Sequence, residues 1–337
     1  MRTAIVVTSI HAPNASMSAL ATGAQGAGYE MLMIGDATSP RDFALPGCRF
    51  VGLDEQRQSD LRFALQCPER HYARKNIGYL MAAAAGAELI VETDDDNAPL
   101  PTFFAARERR AERSVAALPG WLNVYRYFTE TLIWPRGLPL DTIHRALPPR
   151  SALPRRTLDC PIQQGMADDD PDVDAIFRLL VKATTRFAAA DPVALDAGTW
   201  CPFNSQNTAW WRDAFALLYL PAYCSFRLTD IWRSFVAQRI AWENDWHVLF
   251  HGPTVRQARN EHDLMRDFAD EVPGYLNNER IRRTLEDLPL ARGAGAMADN
   301  LRRCYGAMVT LGLIGAAEMP LLDLWLADLE SAGAPHG

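Results

Sequence analysis

Three consecutive carboxylates, Asp94-Asp95-Asp96, are the strongest chemical signal in this sequence. They follow an apolar run at residues 88–92 that is typical of a buried strand. Carboxylates this close together repel one another, and they are costly to place near a core unless a cation lies between them. At the end of a strand, Asp94 and Asp96 can converge on one Mn²⁺ or Mg²⁺, with water and phosphate oxygens as its other ligands. The alternative is a solvated acidic turn.

Two cations precede this triplet along the chain. Arg74 and Lys75, followed by Asn76, lie in a helix pattern that extends from about residue 71 to residue 85. Arginine makes bidentate contacts with phosphate, and lysine acts as a compact point charge. Near a metal-binding turn, these side chains suit a diphosphate. The alternative is an exposed basic face of the helix.

The first third of the chain alternates predicted strands and helices. Apolar runs at residues 4–8, 31–34, 49–53 and 88–92 predict right-handed crossovers and a mostly parallel sheet. Ligands of such sheets bind outside the carboxyl ends of the strands. Thr8, Ser9 and Asp36 then share one edge with the acidic triplet, where Asp36 can bind a ribose hydroxyl or a base N–H, or act only as a turn residue. The glycine patterns of dinucleotide-binding and P-loop proteins are missing from the sequence.

The middle of the chain has a different composition. Residues 133–161 contain six prolines and five arginines with little periodicity, which predicts a loop, either a connector or a mobile flap whose arginines meet an anionic substrate. Helices are predicted at about residues 170–187 and 229–242, a strand at 246–250, and helices beyond about residue 260. We therefore expect an α/β domain at residues 1–260 and a helical C-terminal extension at 261–337.

The overall charge and composition exclude several classes of protein. The 337 residues carry 34 basic and 41 acidic side chains, a net charge of −7, so we exclude nucleic acid as a partner. No apolar run reaches the roughly 20 residues of a transmembrane helix, and no signal-peptide pattern is present. The six cysteines are dispersed, without a C-x-x-C pair. These features predict a cytoplasmic enzyme or small-ligand binder with reduced thiols, and they are compatible with a homo-oligomer.

Aromatic and amide side chains are mixed at residues 200–207. Such a mixture suits the ring faces and hydroxyl groups of a sugar. Trp200, Asn204 and Gln206 are therefore candidate contacts for a sugar. The alternative is that the tryptophan belongs to the hydrophobic core.

The strand–helix–strand layout that ends in the acidic triplet resembles the nucleotide-sugar half of GT-A glycosyltransferases and their D-x-D motif. An ordered series of segments, across about residues 3–270, also resembles the STELLO family of plant Golgi proteins and its microbial relatives. The segments are Ile5-Val6-Val7-Thr8-Ser9-Ile10, Arg74-Lys75-Asn76-Ile77-Gly78-Tyr79, Glu92-Thr93-Asp94-Asp95-Asp96-Asn97, Trp134-Pro135-Arg136-Gly137, Gln163-Gln164-Gly165, Asp170-Pro171-Asp172-Val173-Asp174-Ala175-Ile176 and Pro202-Phe203-Asn204-Ser205-Gln206-Asn207-Thr208.

This resemblance implies a GT-A-like, Rossmann-like α/β fold at residues 1–260, with a mostly parallel sheet flanked by helices, followed by the helical extension. The α/β domain would bind the nucleotide sugar and the acceptor, with Trp200, Asn204 and Gln206 as the acceptor contacts. It also implies a metal-dependent, inverting glycosyltransferase that moves a sugar from a nucleotide-diphosphate sugar to a hydroxyl acceptor that the sequence does not identify. The Mn²⁺ or Mg²⁺ would lie between the acidic triplet and the diphosphate of the donor. Asp94 and Asp96 would bind the ion, or one carboxylate would turn to the ribose instead. Asp94 and Asp95 would contact the donor.

The resemblance further assigns two residues beyond the acidic triplet. Asp230, at the start of the helix at 229–242, resembles the catalytic base of inverting GT-A enzymes; helix capping is its alternative, and residues 168–170 compete for the role. His251 resembles a late histidine that binds the metal or the diphosphate in GT-A enzymes, and a structural histidine is its alternative. The rival functions are a nucleotide-sugar mutase, a nucleotidyltransferase and a non-catalytic subunit of a polysaccharide-synthesis complex.

Overall fold

The computed structural model describes residues 1–259 and 263–334 of the chain. Its strands are β1 (Thr3–Thr8), β2 (Glu30–Ile34), β3 (Arg49–Val51), β4 (Leu89–Thr93), β5 (Asn97–Pro99), β6 (Arg110–Ala116), β7 (Gly120–Trp121), β8 (Arg155–Asp169), β9 (Val193–Leu195), β10 (Thr199–Trp200), β11 (Asn207–Trp211) and β12 (Trp246–Gln257). Its α-helices are α1 (Ala15–Ala27), α2 (Leu53–Gln58), α3 (Arg62–Gln66), α4 (Lys75–Ala84), α5 (Ala175–Leu180), α6 (Thr229–Trp242), α7 (Leu264–Asp287), α8 (Met297–Thr310) and α9 (Glu318–Ser331). Short 3-10 turns lie between several of these elements.

Four parallel strands form the first half of the main sheet, in the order β3-β2-β1-β4. β1 is a run of small and β-branched residues buried along almost its whole length, as expected for a strand with helices on both faces. α1 begins after Asn14, whose side chain accepts a hydrogen bond from the Met17 N–H, and it ends at Gly28 with a φ of 70°. The strand–helix alternation predicted for this region is confirmed. Because these strands are parallel, their carboxyl ends lie at one edge.

The second half of the sheet is mixed, so the prediction of a mostly parallel sheet holds only for the first four strands. β11 pairs antiparallel with both β4 and β8. β8 pairs antiparallel with β6 and parallel with β12. These strands are not joined by regularly alternating helices, so the sequence carries no periodic signal for their pairing. β8 begins at residue 155, so the segment predicted as loop at 133–161 already contributes to the sheet.

The helix predicted at about residues 170–187 is much shorter in the structure. Only Ala175–Leu180 is helical, as α5. The chain then turns back, because Thr185 forms a β-bridge with Asp169 and the Asp168 carboxylate accepts a hydrogen bond from the Phe187 N–H at 2.9 Å. These contacts hold residues near the end of the predicted helix against the end of β8, which a continuous helix would not allow.

A buried ion pair joins the sheet to α6. Glu92, on β4 two residues before Asp94, accepts two hydrogen bonds from the Arg233 guanidinium, at 2.8 and 2.9 Å. The Tyr79 hydroxyl and the Trp210 indole N–H also donate to Glu92. Glu92 is 0% exposed and Arg233 is 1% exposed. The pair therefore defines where α6 begins relative to the end of β4.

Helices α7, α8 and α9 pack against earlier parts of the chain. α9 contacts α3 and α4, and α7 contacts α5 and α6. Trp325 of α9 is fully buried beside the rings of Phe63 and Tyr219, and the Asp328 carboxylate accepts a hydrogen bond from the Phe63 N–H at 2.8 Å. These helices share one hydrophobic core with the α/β part of the chain. The domain boundary at residue 260 stays a prediction.

Among the described helices, none is both long enough and apolar enough to cross a bilayer. All six cysteines are free thiols, in agreement with the predicted reduced state. Burial raises the pKa of Cys160 and Cys201 to about 12, so these thiols are unreactive at neutral pH.

Removing one partner of the Glu92–Arg233 pair should strongly destabilise the protein. Arg233→Met leaves the Glu92 carboxylate buried without its cation, and we expect the free energy of unfolding to fall by about 3–5 kcal/mol. The control is Arg302→Met, because Arg302 pairs with Asp299 and Asp323 at the surface, where a pair contributes less than about 1 kcal/mol. Urea denaturation measures both losses. A small and equal loss in the two variants would contradict the structural role of the buried pair.

Candidate active site

One cavity of about 410 Å³ opens at the edge of the sheet where β1, β2 and β4 end. The start of α6 and the segment before β11 form its opposite wall. Because the three strands are parallel, this edge brings together residues that are far apart in the chain. Of the residues predicted from the sequence, nine line the cavity: Thr8, Ser9, Asp36, Arg74, Asp94, Asp95, Asp96, Gln206 and Asp230.

Asp94, Asp95 and Asp96 form a turn after β4, which we call the acidic turn. Its first carboxylate, Asp94, is bound by Lys75, which is fully buried at the start of α4. Asp94 Oδ1 accepts hydrogen bonds from Lys75 Nζ at 3.1 Å and from the Tyr72 hydroxyl at 3.0 Å. Lys75 Nζ also donates to the carbonyl oxygens of Thr93 and Ser205, at 2.8 and 3.1 Å. Burial raises the pKa of Asp94 to about 6, and Lys75 opposes that shift. Lys75 thus contacts the acidic turn without being part of the cavity wall.

The other two carboxylates each accept a hydrogen bond from a neutral polar side chain. Asp95 Oδ2 accepts a hydrogen bond from the Ser9 hydroxyl at 2.6 Å, which links the end of β1 to the acidic turn. Asp96 Oδ2 accepts one from the Gln257 amide at 3.0 Å, at the end of β12. All three carboxylates line the cavity, so the turn presents its charge to a single space.

The acidic turn does not by itself form a complete metal cage. In the part of the chain that the structure describes, no group of three or more His, Cys, Asp or Glu side chains is placed to share a metal ion. Hard divalent ions prefer oxygen ligands, and Mg²⁺ usually keeps water and substrate phosphates beside one or two carboxylates. The carboxylates in the cavity wall fit this incomplete donor set. They suit a divalent ion that also takes a phosphate ligand.

Asp36 lines the cavity, but its carboxylate is bound by the protein itself. It accepts hydrogen bonds from the backbone N–H groups of Ala37, Arg70 and His71, at 2.7 to 2.9 Å. These bonds tie the end of β2 to the loop that leads into α4. Asp36 therefore positions this loop, rather than having its carboxylate free for a ribose.

Arg74 places a buried positive charge at the cavity wall. It is 2% exposed, and its guanidinium donates to the Gln56 side-chain oxygen and to the Cys67 carbonyl oxygen at 2.6 to 2.9 Å. Both partners are neutral, so they do not offset the charge. An anionic group of a ligand in the cavity would offset it.

Asp230 lies on the opposite wall, in the first turn of α6. Its two oxygens accept hydrogen bonds from Arg136 Nη2 at 3.0 and 3.1 Å, and Oδ2 accepts another from the Ser205 N–H at 3.1 Å. Arg136 also makes a bidentate contact with Asp172, with both distances at 2.8 Å. Burial opposes the charge on Arg136, but the two carboxylates outweigh it and raise its pKa well above the usual value. A permanently charged guanidinium therefore orients Asp230.

A tight turn brings Arg136 to this position. The next residue, Gly137, has a φ of 89°, and a Cβ there would overlap the side chain of Ile231. Only glycine lets the turn approach the start of α6 this closely. Arg136 was predicted within a loop, either a connector or a flap, and the structure buries it at 6% exposure in the cavity wall.

Several residues that line the cavity near Asp230 were not predicted as site residues from the sequence. Phe226 is 53% exposed although it lines the cavity, and its ring makes edge contacts with His71 and Tyr72. The available signal for Phe226 was its position just before the predicted helix that carries Asp230. The missed wall residues include Tyr72, Arg136, Asp172, Ser205, Phe226, Arg227 and Gln257.

Three predicted contacts face the protein interior instead. Asn76 is buried and exchanges hydrogen bonds of 2.9 Å with a backbone segment that follows β11. Trp200 is 0% exposed, and its indole N–H donates to Glu286 at 2.7 Å. The Asn204 side-chain oxygen accepts a hydrogen bond from the Gln206 N–H at 3.0 Å. The structure thus places Trp200 in the core, and of the three predicted acceptor contacts Gln206 alone lines the cavity.

His251 is not brought into the cavity either. It lies on β12, and its Nδ1 is 2.9 Å from the Gly252 carbonyl oxygen. Burial, together with the positive charge of Arg107, lowers the pKa of His251 to about 4, so its imidazole is neutral at pH 7. The described residues do not gather His251, Asp94 and Asp96 around one ion. Its predicted role as a metal ligand gains no support from this placement.

Comparison with known proteins finds similarity to one family. A family model described as STELLO glycosyltransferases matches residues 227–336. Two Arabidopsis thaliana proteins, named probable glycosyltransferase STELLO2 and probable glycosyltransferase STELLO1, are each 28% identical to the chain over 91% of its length. The chain is STELLO-like. It spans 42% of the length of these curated relatives, which is less than half.

The match confirms the family resemblance that the ordered motifs predict. The family model also shows which region of this STELLO-like chain it matches. The matched region begins at Arg227 in the cavity wall and includes α6 to α9. The helices beyond residue 260 are therefore part of what the family model describes. Because the two relatives align with 91% of the chain, the similarity also extends to residues before 227.

His251 should make this STELLO-like chain sensitive to acid. Its pKa is about 4 when folded, against 6.5 when unperturbed, so between these values the unfolded state binds the additional proton and stability falls as the pH is lowered. From this group alone we expect a loss of about 2 kcal/mol between about pH 6.5 and pH 4.5.

Urea denaturation of His251→Asn across this pH range measures the effect, because the substitution should remove that part of the loss. The exposed His144, replaced in His144→Asn, is the control and should leave it unchanged. If His251→Asn loses stability with acid as steeply as the unsubstituted chain, the neutral His251 is not responsible.

Proposed function

We propose that this chain transfers a sugar from a nucleotide-diphosphate sugar to a hydroxyl acceptor, in a GT-A-type reaction that depends on Mn²⁺ or Mg²⁺. One observation carries the proposal: a single cavity holds the acidic turn after β4, the ends of β1 and β2, and Asp230 at the start of α6. A metal-assisted sugar transfer needs a diphosphate site, a nucleoside site and a base for the acceptor. The parallel order β3-β2-β1-β4 supports the same type of enzyme.

The donor is assigned to the edge formed by β1, β2 and β4. Thr8, Ser9 and Gly35 line this end of the cavity and leave room for a nucleoside against the strand ends. Arg74 contributes a buried positive charge with neutral protein partners, which favours a phosphorylated ligand. Asp36 acts indirectly, by holding the loop before α4 in place.

Asp95 and Asp96 in the acidic turn would hold the divalent ion, together with phosphate oxygens of the donor. When bound, Mn²⁺ or Mg²⁺ would neutralise the negative charge that develops on the departing nucleoside diphosphate. The contribution of the chain is to keep the carboxylates in position, through the Ser9 contact with Asp95 and the Gln257 contact with Asp96.

Asp230 is assigned as the base that takes the proton of the acceptor hydroxyl in an inverting transfer. Its carboxylate lines the cavity and is oriented by Arg136. Its contact with the Ser205 hydroxyl, at 3.3 Å, is the longest of its hydrogen bonds. An acceptor hydroxyl can replace that contact with the least loss and then lies within reach of the carboxylate.

Phe226 is assigned to the acceptor side of the cavity, in place of Trp200. It offers an exposed aromatic surface close to Asp230, and such surfaces pack against the faces of sugar rings. Trp200 is buried and cannot take this role without unfolding its surroundings.

Asp96→Asn should weaken metal-dependent donor binding while leaving the protein folded. In a thermal-shift screen of nucleoside diphosphates and their sugars, the donor should stabilise the unsubstituted chain with Mn²⁺ present, because ligand stabilisation rises with concentration relative to Kd. Calorimetry should then show donor binding weakened by about tenfold or more in Asp96→Asn, because the site loses a charged ligand.

The control for this experiment is Asp42→Asn, an exposed carboxylate outside the cavity wall. It should bind the donor normally. If no nucleotide or nucleotide sugar stabilises the unsubstituted chain with Mn²⁺ or Mg²⁺, the proposed function is wrong and a non-catalytic subunit is favoured. Transfer of the intact nucleotide with release of pyrophosphate, or isomerisation without an acceptor, would instead indicate one of the other rivals.

Asp230→Asn should abolish turnover and leave donor affinity intact, because the amide keeps the shape of the carboxylate but cannot take a proton. We expect kcat to fall by about 100-fold or more. Asp172→Asn is the matched control, since Asp172 shares the Arg136 guanidinium but is not assigned as the base. Steady-state kinetics with the identified donor separates the two roles: equal losses in both variants would make Asp230 a structural partner of Arg136.

A further inference from the structure

We propose that Lys75 is a resident cation of the acidic turn and that Asp94 is its counter-ion, so that Asp94 is not a ligand of the divalent ion. The inference rests on the proposed function, because that function requires a divalent ion in the cavity. It goes further by dividing the acidic turn between two cations, one built into the fold and one brought in with the donor. It also replaces the metal pair Asp94 and Asp96 predicted from the sequence.

The first support is the oxygen cage around the Lys75 ammonium. Four oxygen atoms lie within 3.1 Å of its Nζ: Asp94 Oδ1, the Tyr72 hydroxyl and the carbonyl oxygens of Thr93 and Ser205. An ammonium has three N–H donors, so this cage satisfies all of them. The arrangement resembles the oxygen shell of a hard cation.

The second support is the balance of charge. Lys75 is 0% exposed, so water cannot solvate its ammonium. Of the four oxygens around it, the Asp94 oxygen alone belongs to a carboxylate. A buried charge without an opposite charge is strongly unfavourable, so the fold needs Asp94 to remain paired with Lys75.

The third support is the effect of this pairing on a divalent ion. The Asp94–Lys75 pair is neutral overall, so it attracts a dication far less than a lone carboxylate does. The Tyr72 hydroxyl donates to the same Asp94 oxygen and withdraws further electron density from it. Asp95, in contrast, is held by the neutral Ser9 hydroxyl, which cancels none of its charge.

The test uses charge-balanced substitution. Asp94→Asn alone removes a negative charge and leaves Lys75 unpaired, so it weakens Mn²⁺ binding even if Asp94 never touches the ion. Lys75→Met/Asp94→Asn removes both charges and preserves the net charge of the cavity. We expect this double variant to bind Mn²⁺ with a Kd within about threefold of the unsubstituted chain, whereas Asp96→Asn should weaken binding by about 30-fold or more.

Mn²⁺ affinity is measured by electron paramagnetic resonance of the free ion and by calorimetry, with Mn²⁺ alone and with uridine or guanosine diphosphate. A double variant that loses Mn²⁺ as completely as Asp96→Asn overturns the inference, because Asp94 must then be a ligand. Lys75→Gln/Asp94→Asn is the second variant, since its glutamine amide can still donate to the Thr93 and Ser205 carbonyl oxygens if methionine prevents folding.

Thermal unfolding of the same proteins separates this inference from the proposed function. Lys75→Met and Asp94→Asn should each lower Tm, and the double variant should recover part of the sum of the two losses. If the unsubstituted chain binds no Mn²⁺ under any condition, the proposed function fails, and the paired recovery of Tm then decides the Lys75 assignment. Additive losses of Tm would overturn that assignment.

Discussion

The buried pair between Glu92 and Arg233 is the contact on which the geometry of the cavity depends. Glu92 lies two residues before Asp94 on β4, and Arg233 lies three residues after Asp230 on α6. One contact therefore joins the strand that carries the acidic turn to the helix that carries the assigned base. The pair is satisfied in a single alignment of these two elements, because any shift leaves a charge buried without its partner. The pair therefore sets the position of the acidic turn relative to Asp230 across the cavity.

The C-terminal helices extend the same constraint to the far wall. Glu271 of α7 is 1% exposed and accepts hydrogen bonds from the Arg227 guanidinium at 2.8 and 3.0 Å. Asn278, also on α7, accepts a hydrogen bond from the Trp232 indole N–H and donates to the Gly137 carbonyl oxygen. The turn that delivers Arg136 thus depends on α7. The family match covers the same part of the chain, from Arg227 in the cavity wall through these helices.

The part of the site that could be predicted from the sequence is the part built by strands with a clear apolar pattern. The ends of β1, β2 and β4 could be found because apolar runs and the parallel-sheet rule fix one edge. The sequence could not predict where three adjacent side chains would lie. In the structure Arg74 lines the cavity, Lys75 binds Asp94, and Asn76 points to the interior. Their directions depend on the 3-10 turn before α4. Arg136 was equally hidden, because its place depends on long-range packing.

The central claim is that this cavity binds a divalent ion and a nucleoside diphosphate together. The most direct measurement is an anomalous-difference map, at the manganese absorption edge, of crystals grown with Mn²⁺ and a nucleoside diphosphate from the thermal screen. The account predicts one strong peak beside Asp96, between the acidic turn and the diphosphate, with the nucleoside against the ends of β1 and β2. A nucleotide bound elsewhere, or bound in the cavity without a manganese peak, would contradict it.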